Sequence, residues 1–224
     1  MKDFSVFDII GPIMVGPSSS HTAGAVRLGK IARAIAGNQT PSSAEIYLHG
    51  SFAETYKGHG TDLALISGLL GFETDSPDIK KAFEFAEKED LKFNFFPVDL
   101  GPAQHPNTVK FSLIKKDGTK LEIIGKSVGG GNIAITELDG YEISLKGDLP
   151  TLFTKHKDIP GIIHQVSGIL CDHKINIAFM KVFRKEKRLE AIMVLETDDT
   201  ISKDIIKQIQ NIPSILSTHY LDPV

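Results

Sequence analysis

Cysteine is nearly missing from this 224-residue chain; Cys171 is its one thiol. A single thiol excludes an internal disulfide and points to a reducing, cytoplasmic setting. It also excludes a four-cysteine iron–sulfur cluster built from this chain alone. Long apolar runs are absent too. No stretch approaches the roughly 18 uninterrupted apolar residues of a membrane span, so no membrane partner is expected. The N-terminus, MKDFSVFDII, has neither a basic n-region nor a long apolar h-region, which argues against a secretory signal. Positive charge is not in excess: 25 Lys and Arg stand against 28 Asp and Glu, a net charge of -3. No global basic field is available to hold nucleic acid. The local run Arg184, Lys185, Lys187 and Arg188 reads as a solvated hairpin turn.

What remains is an ordinary globular composition, 41% hydrophobic and 24% charged, which sets disorder and fibre aside. The length suits two modest domains, expected at 1–146 and 150–224 and joined by a short linker, Lys146 to Pro150. In the first, residues 22–36 read as an amphipathic helix stopped by Gly37 and Asn38. Residues 44–49 and 91–98 read as strands, and 61–70 and 77–89 as helices, the last capped by Ser76 with Pro77 at its first position. Asp117-Gly118 and Asp139-Gly140 sit between strand-like runs and favour type I′ hairpins. The first domain is therefore α/β or α+β with a largely antiparallel sheet. The second reads β-α-β-β-α-β: strands near 151–156, 175–183, 188–196 and 214–220, helices near 160–173 and 201–211. That order predicts a ferredoxin-like sheet with both helices on one face. Cys171, late in the first of those helices, reads as a small core residue.

The segment Gly16-Pro17-Ser18-Ser19-Ser20-His21-Thr22-Ala23-Gly24 runs straight into the first helix. A helix start exposes unpaired N–H groups and the positive end of the dipole. Three added hydroxyls make a donor nest suited to a small anion, a substrate carboxylate for example. His21 can hydrogen-bond the guest or move a proton. Three further short motifs pair a histidine with glycine, proline and hydroxyl residues. They are His49-Gly50-Ser51, Gly58-His59-Gly60-Thr61-Asp62 and His105-Pro106-Asn107-Thr108. Ser127-Val128-Gly129-Gly130-Gly131-Asn132 reads as a loop that brings backbone amides close to a ligand. Histidines in four such loops make a shared cleft plausible. A metal site from His21, His49, His59 and His105 is the alternative, but no pair has helical i, i+4 spacing and no acidic motif flanks them.

In this order, GPSSSHT, HGS, GHGTD, HPNT and SVGGGN resemble the beta chain of iron–sulfur-dependent L-serine dehydratases, and the likeness spans the whole chain. The resemblance implies a first domain like the allosteric substrate-binding domain of some D-3-phosphoglycerate dehydrogenases. It implies an ACT domain for the second, marked by Asp158-Ile159-Pro160-Gly161 and Ile175-Asn176-Ile177. It implies conversion of L-serine to pyruvate and ammonia with a separate alpha chain, whose cysteines hold a 4Fe–4S cluster with one iron open to act as Lewis acid on the serine hydroxyl. The site residues it suggests are His21, His59 and His105 for catalysis. Ser18, Ser19, Ser20, Thr22, Thr61 and Asn107 are suggested for substrate binding, and Asp158, Gly161 and Asn176 for an amino-acid effector. Homo-dimerisation through the ACT domain is a further expectation. A stand-alone amino-acid-binding regulatory module is the competing reading.

Overall fold

The structure is a computed structural model that describes residues 12–184 and 186–223. The N-terminal MKDFSVFDII and Lys185 of the basic run lie outside the described residues. The chain divides into two compact units, Met1–Lys146 and Gly147–Val224.

Unit 1 opens with a π-helical turn, Ser19–Ala23, that passes directly into α1, Gly24–Ile35. Then follow β1 (Ser43–His49), α2 (Ser51–His59), α3 (Thr61–Leu70), a 3-10 turn (Pro77–Lys81) and α4 (Ala82–Lys88). Strands β2 (Lys92–Pro97), β3 (Thr108–Ile114), β4 (Lys120–Gly129), β5 (Asn132–Leu138) and β6 (Tyr141–Leu145) complete it. One six-stranded sheet runs β2-β1-β3-β4-β5-β6. Within this sheet β1 and β2 pair in parallel, as their helical crossover requires, and the other described pairs are antiparallel. Alternate residues Ala44, Ile46 and Leu48 of β1 and Val109, Phe111 and Leu113 of β3 are buried on one face of this sheet.

Helices α1 and α3 pack through glycine. A Cβ on Gly29 would overlap the Leu65 carbonyl oxygen, and one on Gly68 would overlap the Val26 carbonyl oxygen. Arg33 lies beside Gly71 further along. Gly29 and Gly68 face each other where α1 and α3 cross, and the π-helical turn that opens α1 also contacts α3. The glycines make that close approach possible.

Unit 2 comprises β7 (Thr151–Lys157), α5 (Ile162–Asp172), β8 (Ile177–Arg184), β9 (Glu190–Thr197), α6 (Lys203–Gln210) and β10 (Ile215–Leu221). Its four-stranded antiparallel sheet has the order β10-β7-β9-β8. The helices bury Ile162, Val166 and Leu170 of α5 and Ile205 and Ile209 of α6 against Leu152, Met193 and Leu195 of the sheet. The expected α+β class and the βαββαβ order stand.

Several local expectations need correction. The helix expected over 77–89 is a 3-10 turn followed by a short α-helix. Ser76 does cap it, accepting from Asp78 N. Asp139 and Gly140 both have positive φ, as a type I′ turn demands, but at the first hairpin only Gly118 does. There Asp117 Oδ1 instead accepts the Thr119 N–H at 2.8 Å. SVGGGN is not an open loop: Ser127 to Gly129 belong to β4, and Gly129, Gly130 and Gly131 all take positive φ in the hairpin to β5. Cys171 is exposed rather than in the core, because α5 turns Val166 and Leu170 inward instead.

Candidate functional site

Ser18 begins the site as a helix cap. Its backbone is extended, and its Oγ accepts the His21 N–H at 3.3 Å, satisfying one of the orphan donors of a helix start. The same Oγ lies 3.3 Å from His21 Nδ1. Across the site, His21 Nε2 lies 3.2 Å from Ser51 Oγ. A neutral imidazole flanked by two hydroxyls can donate to one and accept from the other, in either tautomer. That is the arrangement a proton shuttle needs.

Ser51 is brought there by its backbone. Gly50 precedes α2 with φ 57 and ψ -128, and a Cβ on it would lie 2.7 Å from Pro106 Cα. The HPNT loop is therefore pressed against the start of α2, where the Phe52 N–H donates to the Pro106 carbonyl at 3.3 Å. Phe52 is fully buried and meets the His21 ring edge-on at 5.2 Å. His59, the last residue of α2, meets His21 edge-on at 4.8 Å from outside. Burial, then the neighbouring His59, holds the His21 imidazole below its ordinary pKa, while its bond to Ser51 pulls the other way. His21 is thereby favoured in the neutral form that can accept a proton near pH 7.

GHGTD contributes the start of α3. Gly60 takes the left-handed conformation that ends α2 and begins α3 without a side-chain cap. Thr61, the first residue of α3, is fully buried and its Oγ1 has no hydrogen-bond partner. Asp62 bonds the Leu63 N–H at 2.8 Å, and burial raises its carboxyl pKa. SVGGGN closes the set. The Ser127 N–H donates to the Asn107 carbonyl at 3.0 Å, and Ser127 packs so closely on Gly24 that a Cβ there would overlap its Oγ. Arg27 of α1 donates to the Gly131 carbonyl at 3.0 Å.

The five motifs that the sequence scatters over more than a hundred positions thus meet at one end of unit 1. Ser18, Ser19 and Ser20 are half-buried there, neither interior nor fully open. Thr22 is buried, its Oγ1 beside Gly16 and without a hydrogen-bond partner. His105 and Asn107 are half-buried in the HPNT loop, where His105 Nδ1 accepts the Asn107 N–H at 3.1 Å. Burial, then Lys126, lowers the His105 pKa. Sequence reasoning misses Ser51 and Phe52 as site residues because it does not foresee α2; HGS is the signal, with glycine before a small hydroxyl residue at a helix start.

Three of the four histidines of the alternative metal reading have ring nitrogens engaged within the protein, His21 and His105 among them. His49 Nδ1 is engaged by the Leu100 N–H at 3.1 Å. Among the described residues, no group of three or more His, Cys, Asp and Glu is placed to share a metal ion. Nor does the chain's donor set fit an iron–sulfur cluster, because the one thiol, Cys171, is exposed on α5 of unit 2 and clusters take several thiolates.

In unit 2 the candidate effector residues are arranged differently. Helix α5 begins two residues later than the sequence suggests, after Gly161 at φ 94. Asp158 does not cap it. Its carboxylate accepts the Arg188 N–H at 2.9 Å and Arg184 Nη1 at 3.1 Å, bracing the β8–β9 hairpin. Those two bonds hold the Asp158 pKa below the usual carboxylate range. Asn176 Nδ2 donates to Asp198 Oδ2 at 2.6 Å. Asn176 also lines an open groove with His164, Ser167, Gly168 and Cys171.

Fold and site together define a two-unit protein: a mixed α/β unit whose helix starts gather hydroxyl and imidazole groups, followed by a βαββαβ unit. Comparison with known proteins gives the class a family. A "Serine dehydratase beta chain" family model matches residues 5–92, and an "ACT domain" model matches residues 151–214. Over 216 residues, 96% of this chain and 97% of the relative, it is 45% identical to the probable L-serine dehydratase beta chain of Bacillus subtilis (strain 168). Over 222 residues, 99% of this chain and all of the relative, it is 36% identical to the L-serine dehydratase beta chain of Peptoniphilus asaccharolyticus. A shorter match, 37% over 112 residues, covers half of this chain and 21% of a D-3-phosphoglycerate dehydrogenase of Methanocaldococcus jannaschii. The chain belongs to the serine dehydratase beta-chain family. Among the described residues, no helix is long and apolar enough to cross a membrane.

Proposed function

We infer that this chain is the beta subunit of an L-serine dehydratase, an L-serine ammonia-lyase that works in the cytoplasm with a separate alpha subunit and has no activity by itself. Residues 1–146 serve as the substrate-binding-like domain and 150–224 as the ACT domain. The meeting of Ser18, Ser51 and His59 at His21 carries this reading, together with identity to named beta chains over nearly the whole chain. A free-standing regulatory module is not favoured, because both named relatives match end to end.

The overall reaction removes the α-proton and the β-hydroxyl of L-serine to give an aminoacrylate and water. The aminoacrylate tautomerises and hydrolyses to pyruvate and ammonia. Hydroxide is a poor leaving group, and a 4Fe–4S cluster ligated by the alpha subunit would supply the Lewis acidity its departure calls for. This chain, with one thiol, supplies no cluster ligands in this reading. What it supplies is binding and proton handling. Ser18, Ser19, Ser20, Thr22, Thr61 and Asn107 offer hydroxyl and amide donors beside helix starts whose dipoles favour a carboxylate. His21, kept neutral by burial, can move a proton between its two hydroxyl neighbours, with His59 and His105 as further candidates. The ACT domain is assigned homo-dimerisation and effector binding, with Asp158, Gly161 and Asn176 as effector candidates. The decisive experiment is anaerobic co-purification of both chains followed by a pyruvate assay on L-serine. Pyruvate from the pair and from neither chain alone is expected. Full activity from the alpha chain alone would overturn the assignment.

A further inference from the structure

His21 leaves the backbone inside an irregular turn. Residues Ser19–Ala23 are π-helical, and the Gly24 N–H closes the turn by donating to the Ser19 carbonyl. From Gly24 onward α1 is an ordinary α-helix. In an unbroken α-helix the residues three and four before Gly24, His21 and Ser20, would share its face. An i→i+5 bond widens the turn and rotates what precedes it, and such turns are frequent at functional sites. Gly24 accordingly faces β4, while His21 faces α2, its Nε2 3.2 Å from Ser51 Oγ and its ring 5.2 Å from that of Phe52.

Direct contact with the sheet holds this turn. A Cβ on Gly24 would overlap Ser127 Oγ and lie 2.9 Å from Ser127 Cβ. Ser127 has no room to retreat. It is fully buried, its N–H donates to the Asn107 carbonyl at 3.0 Å, and it pairs with Ile133 just before the register of β4 and β5 shifts. Its Oγ has no hydrogen-bond partner, so packing and backbone bonds fix its place. Ala23, the last residue of the turn, is seated in a similar way: a Cβ on Gly131 would lie 3.5 Å from Ala23 Cβ. One helical turn beyond Gly24, Leu28 fills the space over Gly125, two residues before Ser127 on the same face of β4.

We propose that Gly24 and Ser127 are positioning residues for His21: by setting the end of the π-turn directly on β4, they aim the imidazole at Ser51 and His59. A side chain at position 24 would force α1 to lift from β4 or the turn to close into α-helical register. Either movement draws the ring away from Ser51 Oγ, and a hydrogen bond already at 3.2 Å tolerates little of it. That the aim serves proton transfer on L-serine rests on the lyase reading; the aim itself does not.

The test is Gly24→Ala in the full chain, alone and combined with Ser127→Gly, which removes the atoms the new methyl would strike. NMR titration of the His21 ring reads its placement without the alpha subunit. Burial holds the His21 pKa below its ordinary value. In Gly24→Ala it should rise toward the ordinary imidazole value as the ring loses that burial, and in the double variant it should return to the wild-type position. Ser127→Thr crowds the same contact from the sheet side and should shift the pKa in the same direction, which covers a Gly24→Ala chain that fails to fold. In the two-chain complex, Gly24→Ala should lower kcat for L-serine by about tenfold or more with less change in KM, and Ser127→Gly should restore most of it. His21 titrating as in wild type in both Gly24→Ala and Ser127→Thr overturns the proposal, as does a double variant that titrates as the single variant does. Absence of lyase activity in the wild-type complex would sink the lyase reading and leave the NMR result standing.

Discussion

Helices α3 and α5 start in the same way, each from a glycine in left-handed backbone, Gly60 at φ 68 and Gly161 at φ 94, and each without a side-chain cap. By dipole and unpaired N–H groups alone the two are equivalent anion sites. They differ in what else arrives. Beside α3, the start of α1 brings Ser18 and His21, α2 brings Ser51 and His59, and buried Thr61 is left without a partner. Beside α5, the one nearby carboxylate has turned away to brace a hairpin. A helix start becomes a candidate site through the side chains that neighbouring elements deliver to it.

That contrast can be broken experimentally. The largest effect should come from His21→Ala. In the two-chain complex it should lower kcat for L-serine deamination by about 100-fold or more, the usual scale for losing a proton-transfer group. The chain should still associate with its partner on a sizing column. A loss confined to association would make His21 structural. Next are two helical glycines with opposite surroundings. Gly68→Ala forces a methyl into the α1 backbone and should destabilise unit 1 by about 2–3 kcal/mol in urea unfolding. It should also reduce activity, because the two helix starts can no longer meet. Gly168→Ala on α5 meets nothing within 4 Å and should stabilise unit 2 by roughly 0.5–1 kcal/mol through helix propensity. Equal effects at both positions would refute the close-approach argument.

A smaller effect is expected from pH. The folded pKa values of His21 and His105 lie below their unfolded values, chiefly through burial. Below an unfolded pKa of about 6.5 the unfolded chain binds more protons, so stability falls as pH drops from there through the folded values. His21→Gln should flatten that fall in unit 1, read as urea midpoints at successive pH values. An unchanged slope would remove His21 from the cause.

Element order is legible in the sequence where patterns are local. Alternation marks the strands, Asp139-Gly140 forms its type I′ turn, and the βαββαβ order is readable in unit 2. Legibility fails where tertiary contacts decide. Helix α2 has a weak apolar face, with Phe52 its one buried residue, so periodicity does not reveal it. The three glycines after Val128 read as a loop, yet they form a hairpin because β5 pairs back on β4. Cys171 reads as a core residue by type, but rotation of α5 leaves it outside. For the site, the histidines and hydroxyls are legible as motifs. Their meeting is not, because it depends on Gly29 and Gly68 setting two helices together and on Gly50 seating against Pro106.

The most direct measurement is steady-state kinetics of the anaerobic two-chain complex carrying Ser19→Ala and Ser20→Ala together. Removing two hydroxyls from the shared helix start should raise KM for L-serine by about tenfold or more while changing kcat less. Kinetics indistinguishable from wild type, in a complex of normal assembly, would contradict the claim that this end of unit 1 grips the substrate.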